Sequence, residues 1–237
     1  MQELLVNKRI LAIGDSLALP GHGNKYEDTW IYKLKNGFPQ YDFITFFKRQ
    51  LTTHELVSMG GGEAGSDKKP KGADCLEFFK PNVIILQLGI VDCAPRLLFD
   101  LERKIVSKLP TIIATPYINL IKLIRKRKTY NTLVPINRFK FNLETYFQRC
   151  IKENVQKVII ITISFPDEKM VKKNPDIGVN VDSYNNLFFE FAMKYDFITI
   201  ITPLDSRNYK EKIFEDGYHP NIYGNDLVFK SLLESIG

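Results

Sequence analysis

Long apolar runs are the first thing this 237-residue chain lacks. No stretch approaches the roughly 18 uninterrupted apolar residues that a membrane-spanning helix needs. Cysteine is scarce too: Cys75, Cys93 and Cys150 are odd in number and show no CxxC spacing. They read as reduced thiols in a reducing compartment rather than as a disulfide frame. Three scattered histidines with no ligand-spaced cluster give no metal site. Met1 to Arg9 is polar and lacks the apolar core of a secretory leader, so a cytoplasmic protein is expected. No internal repeat or low-complexity tail interrupts the chain.

What is present is the composition of a soluble globular protein, 44% apolar and 25% charged. One domain over residues 1–237 is expected, with a helical insertion at about 97–140. The net charge of +6 favours anionic partners. Nucleic acid is not expected, because the cations do not interleave with an aromatic platform.

Short β-branched runs alternate with helical periodicity along the chain. Strands are read at Arg9–Ile13, Asp42–Phe47, Asn82–Leu88, Lys157–Ile163 and Phe197–Ile201. Helices are expected over Thr29–Lys35 behind an Asp28 cap, and from a Thr52/Glu55 capping box to about Met59. Others are read at Ala73–Phe79, Phe139–Glu153, Val181–Lys194 and Ile222–Ser235, with Ser164–Gly178 as loop. This alternation predicts a parallel sheet with helices on both faces.

In such sheets chemistry sits beyond the carboxyl ends of the strands. The first strand runs into Gly14-Asp15-Ser16, which places Ser16 there. A serine hydroxyl is inert without a base. Of the three histidines, His54 lies in a helix turn and His22 in a Gly-flanked loop. His219 follows Asp216 by three residues just before the last helix. A carboxylate at that spacing can hold one ring nitrogen and leave the other to face a serine, although a local surface bond would read the same way.

Gly14-Asp15-Ser16, the strand ending in Gly89-Ile90-Val91-Asp92, and Asp216-x-x-His219-Pro220 come in the order of the SGNH, or GDSL, hydrolases. The sequence resembles that family across essentially its whole length. The resemblance implies a flavodoxin-like three-layer α/β/α sandwich on a five-stranded parallel sheet. It implies Ser16 as nucleophile, His219 as base, Asp216 as orienting carboxylate, and no cofactor.

Two positions depart from the family pattern. The family's third block is Gly-x-Asn-Asp, and here Val91 replaces the Asn that donates to the oxyanion. The family's second-block Gly falls at Leu51, or in a rival register at Gly65, which leaves a thinned oxyanion hole of the Ser16 and Leu51 N–H groups. Arg49 and Arg96 are candidate replacements, able to stabilise an oxyanion or hold an anionic sugar or phosphate. Asp15, Arg49, Val91, Asp92 and Arg96 are the expected substrate contacts. Gly89 to Arg96 also looks like family members associated with bacterial surface-polysaccharide biosynthesis.

Gly60-x-Gly62-x-x-Gly65 matches a dinucleotide fingerprint as a string, but Ser66 to Pro70 cannot open the helix that must follow. The apolar and basic piece from Tyr117 to Lys128 reads either as a surface helix or as a peripheral contact with an anionic membrane. The expectation is a serine esterase that removes O-acetyl groups from a carbohydrate through an acyl-enzyme. An O-acyltransferase on the same site, and a non-catalytic binding protein, stay open.

Overall fold

The computed structural model describes residues 8–21, 23–57, 72–125 and 131–236. The strands are β1 (Arg9–Gly14), β2 (Asp42–Phe47), β3 (Val83–Gln87), β4 (Lys157–Ile161) and β5 (Ile198–Ile201). They form one sheet in the order β2-β1-β3-β4-β5, and every pairing is parallel. Side chains alternate faces along each strand. Leu11, Ile13, Ile84, Leu86, Val158 and Ile160 enter one core layer, while Ile10, Ala12, Ile85, Ile159 and Ile161 enter the other. Burial on both faces explains why these strands are apolar throughout.

The helices among the described residues are α1 (Trp30–Gly37), α2 (His54–Val57), α3 (Gly72–Phe79), α4 (Ile90–Cys93), α5 (Asp100–Val106), α6 (Thr111–Arg125), α7 (Ile136–Lys152), α8 (Glu168–Lys173), α9 (Asp176–Lys194) and α10 (Ile222–Ile236). Leu56, Leu76, Phe139, Leu143, Phe147, Val181 and Phe188 from α2, α3, α7 and α9 cover one face of the sheet. Trp30, Ile31, Leu34, Val228 and Leu232 from α1 and α10 cover the other. The result is the expected three-layer sandwich.

Local chemistry moves some boundaries. Thr29, not Asp28, caps α1: its hydroxyl accepts from Tyr32 N, while Asp28 accepts from Lys25 N at 2.8 Å. The stretch read as loop from Ser164 contains α8, because Asp167 caps it by accepting from Met170 N at 2.9 Å. In place of a Thr52 capping box, α2 is preceded by Thr53, whose hydroxyl is committed to Asp92. The extension of that helix towards Met59, the Gly60 to Gly65 string and His22 lie outside the described residues.

Trp30 sits in the core beside Phe47 and donates its indole N–H to Gln87 Oε1 at 2.8 Å. Its backbone N–H, unpaired within the first turn of α1, is taken by Asn225 Oδ1 from α10 at 3.1 Å. All three cysteines are buried and free, and burial pushes their thiols above the ordinary range. They are therefore inert packing residues.

Candidate active site

The turn carrying Ser16 is built by its neighbours. Asp15 N donates to Gln87 O at 3.0 Å, which extends the pairing of β1 with β3 by one residue. Asp15 Oδ1 then accepts from Leu17 N at 2.9 Å and caps a single 3-10 turn over Ser16–Ala18. Gly14 is required by space: a Cβ there would lie 2.8 Å from Ala18 Cβ and 3.2 Å from Phe47 Cδ1. Ser16 is left partly exposed, and its N–H, the first of the turn, has no acceptor among the described residues.

His219 arrives from the segment between β5 and α10. Glu215 N donates to His219 O at 2.8 Å, and Asn221 N donates to Ile213 O at 3.0 Å, closing a tight loop. Gly217 turns it at φ 113, a conformation side chains rarely adopt. His219 Nε2 lies 3.0 Å from Ser16 Oγ, and His219 Nδ1 lies 2.8 Å from Asp216 Oδ2. With the carboxylate accepting from Nδ1–H, Nε2 is the acceptor for the serine hydroxyl. Asp216 Oδ1 also accepts from His219 N at 3.1 Å. Burial alone would raise the Asp216 carboxyl, but these bonds and the imidazole hold it below the ordinary range. The Tyr218 ring lies against the imidazole, centroids 4.3 Å apart. The structure thus brings Ser16, His219 and Asp216 together across 203 residues of chain.

These residues open onto a pocket of about 270 Å³ lined by Ser16, Pro20, Gly21, Arg49, Glu215, Asp216 and His219. Arg49 is the one expected substrate contact that lines it, and no hydrogen bond or ion pair ties it among the described residues.

Leu51 does not fill the role expected of it. Its N–H donates to Lys48 O at 3.1 Å, and the residue is fully buried, so that donor is spent inside the turn after β2. The free N–H groups of this turn, among the described residues, are those of Arg49 and Gln50, and Gln50 takes φ 62. That left-handed position follows from tertiary pairing, since Lys48 N still bonds Gly14 O at 3.1 Å.

Asp15 and Asp92 cannot be substrate contacts, because both are wholly buried. Asp92 Oδ1 accepts from Thr53 N at 3.0 Å and Thr53 Oγ1 at 2.5 Å. The remaining Oδ2 of each carboxyl has no partner among the described residues. Desolvation pushes Asp15 up to about 8, with the Asp92 charge adding to it. Burial likewise pushes Asp92 up to about 7, although its bonds from Thr53 and the nearby Arg96 pull the other way. Val91 is almost buried in α4, after Gly89 at φ 124, and does not line the pocket. Arg96 folds back on its own turn and donates to Val91 O at 3.0 Å. Sequence reading missed the burial of these two aspartates, which no local pattern signals.

No family model matches the chain, and no curated protein does. Solved structures do match along its length. TesA shares 14% identity at a TM-score of 0.59, over 97% of this chain and 98% of its own. A catalytic mutant of Axe2, an acetylxylan esterase from Geobacillus stearothermophilus, shares 13% at 0.59, over 97% and 94%. A member of the lipolytic protein G-D-S-L family from Veillonella parvula shares 14% at 0.58, over 96% and 97%. The chain has the three-layer fold of the G-D-S-L, or SGNH, hydrolases.

Proposed function

We propose that the protein is a serine esterase that removes O-acetyl groups from a carbohydrate through an acyl-enzyme. The observation that carries this reading is the relay of Ser16 Oγ to His219 Nε2 at 3.0 Å and His219 Nδ1 to Asp216 Oδ2 at 2.8 Å, open to a pocket. Ser16 Oγ attacks the ester carbonyl carbon as its proton passes to His219 Nε2. The tetrahedral intermediate collapses, the sugar oxygen takes that proton, and acetyl-Ser16 remains. Water, deprotonated by the same nitrogen, attacks next and releases acetate and free Ser16. Asp216 holds the tautomer and stabilises the imidazolium.

The developing oxyanion meets the Ser16 N–H and Arg49, a pocket-lining cation that offsets the Asn donor lost at Val91. The small acyl group is favoured by the pocket's size and by its lining of Arg49, Glu215 and Asp216, which suits a hydroxylated substrate. That Axe2, of the same fold, is an acetylxylan esterase supports the same class.

A second reading, a non-catalytic carbohydrate-binding protein, is favoured by Val91 and by the spent N–H of Leu51. Hydrolysis of p-nitrophenyl acetate by the wild type, Ser16→Ala and His219→Ala separates the two. Activity lost in both variants, with an organophosphonate bound to Ser16, supports the esterase. Wild-type rates equal to those of the variants, with Ser16 unlabelled, support the binder. Release of acetate from acetylated oligosaccharides against transfer to a sugar hydroxyl then divides hydrolase from acyltransferase.

A further inference from the structure

Between Glu102 and Glu144 the sequence carries ten Lys and Arg and no acidic residue, more positive charge than the net +6 of the whole chain. This stretch spans most of α5, all of α6 and the start of α7. Its apolar residues are not turned inward as they are elsewhere in the fold. Ile112 is 82% exposed, Leu123 76% and Ile124 65%, with Ile105 and Leu120 more than half exposed; Leu101, just before the stretch in α5, is 70% exposed. Among the described residues of these two helices, only Val106 and Ile121 are buried. A monomeric soluble surface seldom gathers so many large aliphatic side chains in one place. Lys104, Lys108 and Lys122 stand exposed among them.

The stretch is nevertheless fixed to the sheet. Arg96 N donates to Asn131 O at 2.7 Å, Asn131 Nδ2 donates to Leu98 O at 3.3 Å, and Val134 N donates to Asp92 O at 3.3 Å. These bonds join the two ends of the excursion beyond the carboxyl end of β3, the same sheet edge from which Ser16 emerges after β1. Tyr117 OH donates to Glu102 Oε1 at 3.4 Å and ties α6 back to α5.

We propose that α5 and α6 form a membrane-docking element that seats on an anionic lipid bilayer. The exposed aliphatic side chains enter the headgroup boundary, and the lysines meet anionic headgroups. A bilayer fits better than a protein partner because, apart from Asp100 and Glu102 in the first turn of α5, every charged residue of the two helices is basic. Docking would bring a substrate held at a membrane to the edge that carries Ser16. The docking itself does not depend on the esterase reading.

The test is flotation of the purified full chain, without substrate, on vesicles of phosphatidylcholine alone or mixed with phosphatidylglycerol. Since each basic residue near an anionic surface strengthens binding about five-fold, the mixed vesicles are expected to bind at least about ten-fold more tightly. High salt should abolish the difference. Leu123→Asp with Ile124→Asp should abolish flotation, Lys104→Ala with Lys108→Ala and Lys122→Ala should weaken it, and both should leave hydrolysis of a soluble ester unchanged. Ser16→Ala should float like the wild type, so loss of catalysis and loss of docking are read separately. Failure of the wild type to float on mixed vesicles overturns the proposal, as does equal binding to both vesicle types. A dimer in solution that the Leu123→Asp and Ile124→Asp pair dissociates, with no flotation, overturns it in favour of self-association.

Discussion

Thr53 gives both its backbone N–H, at 3.0 Å, and its hydroxyl, at 2.5 Å, to Oδ1 of Asp92. The same hydroxyl accepts from Asn142 Nδ2 at 3.1 Å, so the segment after β2, α4 and α7 meet at one buried oxygen. Replacing Thr53 by Val keeps the shape but leaves Asn142 Nδ2 without its acceptor and Asp92 with one donor fewer. The variant is expected to lose about 1–3 kcal/mol in urea unfolding with an unchanged m-value. A loss below a few tenths would mean that water or a shifted side chain fills the gap.

The buried pair Asp15 and Asp92 sets a pH dependence of opposite sign to that of a salt-bridged carboxylate. Their folded values are raised from 3.8 to about 8 and about 7, so between these limits the folded state binds more protons than the unfolded state. Stability is therefore full at about pH 4 and falls as pH rises through about 7 to 8. Asp15→Asn should flatten the fall and melt above the wild type at the alkaline end. Melting temperatures across this range check it, and a wild-type curve that rises with pH would contradict it.

Asp216 is held ionised below the ordinary carboxylate range by its bonds with His219, so its own titration does not shape the activity profile. Asp216→Asn should cut kcat by about 10²–10⁴, because the amide favours the wrong tautomer, and leave KM nearly unchanged. Single-turnover kinetics with p-nitrophenyl acetate resolve the acylation step in which this loss falls.

Arg49 lines the pocket without a hydrogen bond or ion pair among the described residues, the placement needed for a group that serves the transition state. Arg49→Ala is expected to lower kcat by about 10²–10³ with a small change in KM, while Arg49→Lys recovers part of it. A rise in KM at constant kcat would make Arg49 a substrate anchor instead.

Much of this was readable in advance. The five strands announce themselves because both faces of a parallel sheet are covered, which leaves uninterrupted apolar runs such as Ile84 to Leu86. Ser16, Asp216 and His219 stood out through the order of the Gly14-Asp15-Ser16, Gly89 to Asp92 and Asp216-x-x-His219-Pro220 blocks, which resembles the SGNH hydrolases, since the Asp216 to His219 spacing alone also fits a local surface bond. Other features depend on what the chain meets in space. Asp15 and Asp92 have the sequence look of surface turns, yet both are wholly buried, Asp15 beside β3 through Gln87 and Asp92 beneath Thr53 from the segment after β2. The Leu51 N–H was lost to Lys48 O through a turn whose left-handed residue is Gln50, where sequence preference points to glycine. Arg96 looked free to reach a substrate, but a carbonyl five residues back captures it.

The indole of Trp30 is the chain's only one, and it is dry and held by Gln87, whose backbone carbonyl also receives the N–H of Asp15. One fluorophore therefore sits a single residue away from the turn that presents Ser16. Its emission starts at short wavelength and shifts red as that region admits water. Ultraviolet fluorescence thus gives a label-free optical readout of the turn that carries Ser16, usable on every variant above without an introduced dye.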